Sequence, residues 1–131
     1  MKNKALAPTI LIVEDEAIVL ATLKRFLEKQ GYIAETANSY NTAIELLKVM
    51  DFETVIADVN LGGENAYEGI ELIREIKRKR LTTAVICLTA YGGMERMEKA
   101  FAAGADAYYE KPIRMEILLN AIKLGYRKEE K

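Results

Sequence analysis

Apolar residues recur along this chain in two alternating rhythms. Short runs rich in β-branched residues stand at Ile10–Val13, Tyr32–Thr36, Val55–Ala57, Ala84–Leu88 and Ala105–Tyr109. Four of the five are almost wholly apolar, as expected of strands covered on both faces. Between them the spacing turns helical. Val19, Leu23, Phe26 and Leu27 share one face, and Gly31 follows as a C-terminal stop. Ala43, Leu46, Leu47 and Met50 repeat the i, i+3, i+4, i+7 stripe. Leu72, Ile73 and Ile76 form a third seam, Met94, Met97 and Phe101 a fourth, and Leu118, Ala121 and Ile122 a fifth. The pattern predicts five strand–helix units, and therefore a parallel sheet with right-handed crossovers. Such sheets bind ligands beyond the carboxyl ends of their strands, at the point where the strand order reverses.

The strand ends are where the chemistry concentrates. The first run ends in Glu14-Asp15, the third in Asp58, the fourth in Thr89 and the fifth near Lys111. Each has an ordinary explanation: Asp15 as a cap for the helix starting near Ala17, Asp58 as a turn former, Thr89 as a strand residue or cap, Lys111 as a solvated lysine. Taken together they are harder to dismiss. Three carboxylates on one rim repel each other and call for a compensating cation. An all-oxygen set of that kind suits a hard ion such as Mg²⁺, with Lys111 supplying further positive charge.

Composition narrows the chemistry. A chain of 131 residues, half of them hydrophobic and 30% charged, matches one globular domain. Nineteen basic residues against 20 acidic give a net charge of −1, so nothing draws the chain as a whole to nucleic acid or an anionic membrane. The basic cluster Arg74–Arg80 reads as the solvated end of a helix, where cations complement the dipole. The absence of histidine excludes Ser-His-Asp and Cys-His catalysis and nearly all zinc sites built on imidazole. The single cysteine, Cys87, excludes an internal disulfide and reads as a small buried hydrophobe. No run approaches the ~18 apolar residues of a membrane span. The opening MKNKALAPTILIVEDE lacks a cleavage pattern and reads as a short tail before a buried strand, which makes the cytoplasm the expected location.

Four motifs in order, ILIVEDE, VIADVNL, LTAYG and GADAYYEKPI, resemble those of the receiver domain of two-component response regulators, from about Thr9 to Leu124. The resemblance implies an α/β, flavodoxin-like (βα)5 three-layer sandwich with a parallel five-stranded sheet of order 2-1-3-4-5. It implies a single receiver domain over residues 1–131, with short tails including Arg127–Lys131. Asp58 would be the nucleophile that accepts a phosphoryl group from a sensor histidine kinase or histidine phosphotransfer protein. Glu14, Asp15, Asp58 and the backbone carbonyl of Asn60 would hold Mg²⁺. Lys111 would pair with a phosphoryl oxygen, Thr89 would donate its hydroxyl, and the Lys111–Pro112 bond would be cis. As the switch, Thr89 would move toward Asp58 and Tyr108 would rotate inward. That would change the helix 4–strand 5–helix 5 surface for a downstream protein target or a phosphorylation-dependent homodimer. Neither DNA nor a membrane is an expected partner, and the domain would catalyse only its own phosphorylation and dephosphorylation.

One segment departs from the family. The loop Val59–Gly69 is a few residues longer than usual, and Gly62 stands where proline is expected. Its adjacent glycines make it flexible and bear on how Asn60 is oriented. Tyr91, two residues past Thr89, would shield the phosphoryl group from water. Three competing readings remain. A haloacid-dehalogenase-like phosphohydrolase would need an acid where Asn60 stands. A flavin binder would meet repulsion from Glu14-Asp15-Glu16. The third is a receiver that signals by binding alone.

Overall fold

The computed structural model describes residues 9–61, 68–90 and 93–128, the last three by backbone alone. The loop segment Gly62–Tyr67, Tyr91 and the tail Glu129–Lys131 lie outside the described residues. Strands and helices alternate as β1 (Thr9–Val13), α1 (Ala17–Lys29), β2 (Ile33–Ala37), α2 (Tyr40–Val49) and β3 (Thr54–Asp58). They continue as α3 (Glu68–Lys79), β4 (Ala84–Thr89), α4 (Met94–Ala103), β5 (Ala107–Glu110) and α5 (Met115–Lys128). The five strands pair in parallel in the order β2-β1-β3-β4-β5. This is the flavodoxin-like arrangement, and the order reverses between β1 and β3.

The period-2 alternation of the strands divides the core into two layers. Leu11, Val13, Val55, Ala57, Val85 and Cys87 face one side, where α2, α3 and α4 supply Ala43, Leu47, Leu72, Ile73, Ile76 and Ala100. Ile10, Ile12, Ile56, Ile86 and Leu88 face the other, against Leu23 and Leu27 of α1 and Leu118 and Ile122 of α5. Burying both faces is why β1, β3 and β4 read as continuous apolar runs. Gly31, at φ +98°, ends α1 as its position in the sequence suggested.

Three expectations need correction. The fourth seam is not a core seam, since Met94 and Phe101 are 68% and 44% exposed, and α4 buries Ala100 and Ala103 instead. The two alanines face the sheet, and the larger apolar side chains lie on an adjoining face. β5 starts two residues later than the apolar run and is only half-buried. The backbone N–H of Ala105 is taken by Ala100 at the end of α4, and that of Asp106 by Val85. α5 extends to Lys128, so Arg127 and Lys128 are helical rather than tail.

The basic cluster is also less solvated than its composition suggests. Lys77 donates to Asp106 at 2.8 Å and to the Thr83 carbonyl at 2.6 Å. Arg80 donates to the Phe52 carbonyl at 2.8 Å. These bonds tie the amino ends of the strands together, opposite the rim that carries the carboxylates. Among the described residues no helix is long and apolar enough to cross a membrane.

Candidate functional site

Sheet register decides which side chains meet. Val13 pairs with Ala57, Asp58 with Leu88 and Thr89 with Glu110, so the ends of β1, β3, β4 and β5 form one rim. Glu14 stays in line with the sheet through its N–H, which donates to the Ala37 carbonyl at 3.1 Å. Its side chain is almost fully buried, whereas Asp15 next to it is exposed. Asp15 does not cap α1: the N-cap is Glu16, which makes no side-chain cap bond.

Asp58 does serve its turn, accepting from the Asn60 N–H at 2.8 Å through Oδ1. Its other oxygen faces Lys111 Nζ at 3.3 Å, and the same ammonium donates to Glu14 Oε1 at 2.6 Å. Lys111 is held by its own N–H, which donates to the Thr89 carbonyl at 2.8 Å, and the bond that follows it to Pro112 is cis. It is therefore not the solvated lysine that composition alone suggests. Carboxylate oxygens of Glu14, Asp15 and Asp58 lie within 4.8 Å of one another. A cavity of about 370 Å³ opens above them, lined by these three residues with Glu16, Asn60, Ala90 and Lys111.

The electrostatics show a shortage of positive charge. Burial raises the pKa of Glu14, and the Asp58 charge adds to the rise, while the hydrogen bond from Lys111 opposes it. Burial works against the charged form of Lys111, but the hydrogen bond to Glu14 and the charge of Asp58 prevail and hold its pKa up. Among the described residues, Lys111 thus pairs with two of the three clustered carboxylates. A hard divalent cation would supply what is missing, and oxygen donors are what such an ion prefers. Glu14, Asp15 and Asp58 fit that role.

Thr89 is fully buried behind Asn60, whose Nδ2 donates to its Oγ1. The buried hydroxyl of Tyr108 lies beside Thr89, and its ring tilts against Phe101 with centroids 6.2 Å apart. Burial raises the pKa of this phenol, with the neighbouring Thr89 opposing. The hydroxyl end of Tyr108 is therefore turned in toward Thr89. Asn60 is itself buried, and its Oδ1 accepts from Arg96 Nη1 at 2.6 Å. Arg96 is a site residue that the sequence pattern does not single out. It lies 36 positions from Asn60, in a helix whose Met and Phe residues draw the eye. The Asn60 carboxamide has no proton-transfer capacity, so it cannot be the acid that a dehalogenase-like hydrolysis needs at this position.

A family model for the response regulator receiver domain matches residues 10–123. The chain is 32% identical to the chemotaxis protein CheY of Halobacterium salinarum, over 89% of this chain and 95% of that protein. It spans only 28% and 58% of the length of two other curated relatives. A CheY-like receiver domain protein from Methanospirillum hungatei superposes with a TM-score of 0.89 at 30% identity, covering 95% of this chain and 98% of that one. A Burkholderia pseudomallei response regulator, solved with a phosphorylated aspartic acid, a calcium ion and citrate, superposes at 0.83. It is 28% identical, over 94% of this chain and 71% of that one.

Proposed function

The chain belongs to the response regulator receiver domain family, and from that premise we propose that Asp58 accepts the phosphoryl group in a Mg²⁺-dependent reaction. The observation that carries this reading is the buried Asp58 carboxylate on the cavity floor, with Oδ1 fixed by the Asn60 N–H and Oδ2 facing Lys111. A sensor histidine kinase or histidine phosphotransfer protein is the donor, its phosphohistidine lying outside these 131 residues.

A carboxylate oxygen of Asp58 attacks phosphorus as the P–N bond to the donor imidazole breaks. The imidazole nitrogen keeps the bonding pair and takes up a proton. Lys111, already drawn between Glu14 and Asp58, turns toward the new anionic oxygens as a mobile point charge. Thr89 donates its hydroxyl to another of them. Glu14, Asp15, Asp58 and the Asn60 carbonyl hold Mg²⁺, which when bound neutralises charge on the transferring group.

The output surface is α4–β5–α5. Exposed Met94 and Phe101 on α4 give a protein target or a second copy apolar ground to bind, and Tyr108 lies against Phe101 beneath them. Output by protein contact in the cytoplasm, without DNA, fits the match to the halobacterial chemotaxis relative.

Incubation with acetyl phosphate and Mg²⁺ tests the reading. Intact mass should rise by one phosphoryl group, and EDTA should abolish the gain. An unchanged mass under conditions that modify a known receiver would overturn it.

A further inference from the structure

Gly69, the second residue of α3, is buried against the backbone that follows Asp58. A Cβ at this position would stand 2.5 Å from the oxygen of Val59, 2.6 Å from its Cα and 2.7 Å from its carbonyl carbon. Two of these atoms belong to the peptide unit that joins Val59 to Asn60. The other end of that unit is the Asn60 N–H, which donates to Asp58 Oδ1 at 2.8 Å. The peptide is trans, so it is a rigid plane whose C=O and N–H point opposite ways. The start of α3 therefore lies against the carbonyl end of a plane whose amide end holds the acceptor carboxylate.

Neither backbone has room to retreat. Val59 is fully buried, and its own N–H donates to the Leu88 carbonyl at 3.2 Å, which ties it to β4. On the helix, Ile70, Leu72 and Ile73 are locked into the same core layer as Val59. A Cβ essentially never comes within 3.0 Å of such atoms, so a side chain at position 69 would part the two backbones by about 0.5 Å. Because the plane is rigid, a displaced carbonyl takes the Asn60 N–H with it.

We propose that Gly69 is a positioning residue for phosphoryl transfer. Its missing side chain lets α3 seat directly on the Val59–Asn60 peptide, and the helix thereby fixes the amide that aims the Asp58 carboxylate. This rests on the reading of Asp58 as the phosphoacceptor. It gives α3 a part in the site, although no residue of that helix is among the described residues that line the cavity.

With Mg²⁺ saturating, Gly69→Ala should take a phosphoryl group from acetyl phosphate about three- to tenfold more slowly, since a misplacement of about 1 Å can cost about a hundredfold. The backbone amide proton of Asn60, read by NMR with no phosphoryl donor present, should shift in the same variant. Ile76→Val thins the buried core farther along the same helix. It should lower the unfolding midpoint and leave both the rate and the Asn60 signal unchanged, which separates positioning from stability. A folded Gly69→Ala with the wild-type rate or an unshifted Asn60 amide would overturn the proposal, as would equal slowing in Ile76→Val. If Gly69→Ala does not fold, hydrogen exchange in the wild type decides. The Asn60 amide should then be protected to within about tenfold of the Ile73 amide, and faster exchange would overturn the proposal. If the wild type takes up no phosphoryl group, the reading of Asp58 fails, while the Asn60 amide still reports on Gly69.

Discussion

Replacing Lys111 by methionine isolates what its ammonium does. The Nζ lies 2.6 Å from Glu14 and 3.3 Å from Asp58, and the side chains of the two acids are 3% and 8% exposed. Removing one partner of a buried ion pair costs about 3–5 kcal/mol, because the other charge stays buried and unpaired. Here the lysine side chain is 19% exposed and the cavity is open to water, so screening brings the expected loss to about 2–3 kcal/mol. At about 4 °C per kcal/mol for a domain of this size, the midpoint of thermal unfolding in EDTA should fall by about 8–12 °C. The metal response should move the other way. A +1 and a +2 charge sharing one small cavity would repel by about 2 kcal/mol or more even at the dielectric constant of water. Even the low end means that Lys111→Met should bind Mg²⁺ about tenfold more tightly, and Mg²⁺ should restore most of the lost stability. Thermal unfolding followed by circular dichroism across a Mg²⁺ titration measures both effects. An unchanged midpoint in EDTA, or weaker Mg²⁺ binding in the variant, would refute the reasoning.

Other expectations follow from single contacts. A Cβ on Gly69 would lie 2.5 Å from the carbonyl oxygen of Val59, next to Asp58, so Gly69→Ala should cost about 1–3 kcal/mol in urea unfolding. Mg²⁺ at about a hundredfold excess over its dissociation constant should stabilise the wild type by about 2.7 kcal/mol, and Asp15→Asn should gain less than half of that at the same concentration. Burial pushes the Cys87 thiol up to about 12, so disulfide reagents at mildly alkaline pH should label it only after unfolding, and rapid labelling of the folded protein would contradict its placement.

The parts legible in the sequence are those set by local pattern. β1, β3 and β4 are apolar because both of their faces are covered, and the helical seams of α2, α3 and α5 bury as their spacing predicts. Strand ends carry the carboxylates, so Glu14, Asp15 and Asp58 could be brought together from the topology alone. Pattern failed where packing chose among apolar residues. In α4 the two alanines face the sheet and the larger Met94 and Phe101 do not, although all lie at helical spacing. It failed again where a contact joins distant residues through side-chain length. Lys111 reaches Glu14 across 97 positions, and Arg96 reaches Asn60 across 36, and neither pairing leaves a periodic trace. The motif around Lys111 placed its charge at the site, but not its bond to Glu14. The Arg96 pairing had no such guide.

The central claim is that the phosphoryl group resides on Asp58 and not on its neighbours. An acyl phosphate is reduced by borohydride to an alcohol, so an aspartyl phosphate becomes homoserine at its own position. After incubation with acetyl phosphate and Mg²⁺, reduction and peptide mass spectrometry should find homoserine at position 58 alone, and none in Asp58→Asn. A reduced residue at Glu14 or Asp15, or an undiminished adduct in Asp58→Asn, would contradict the account.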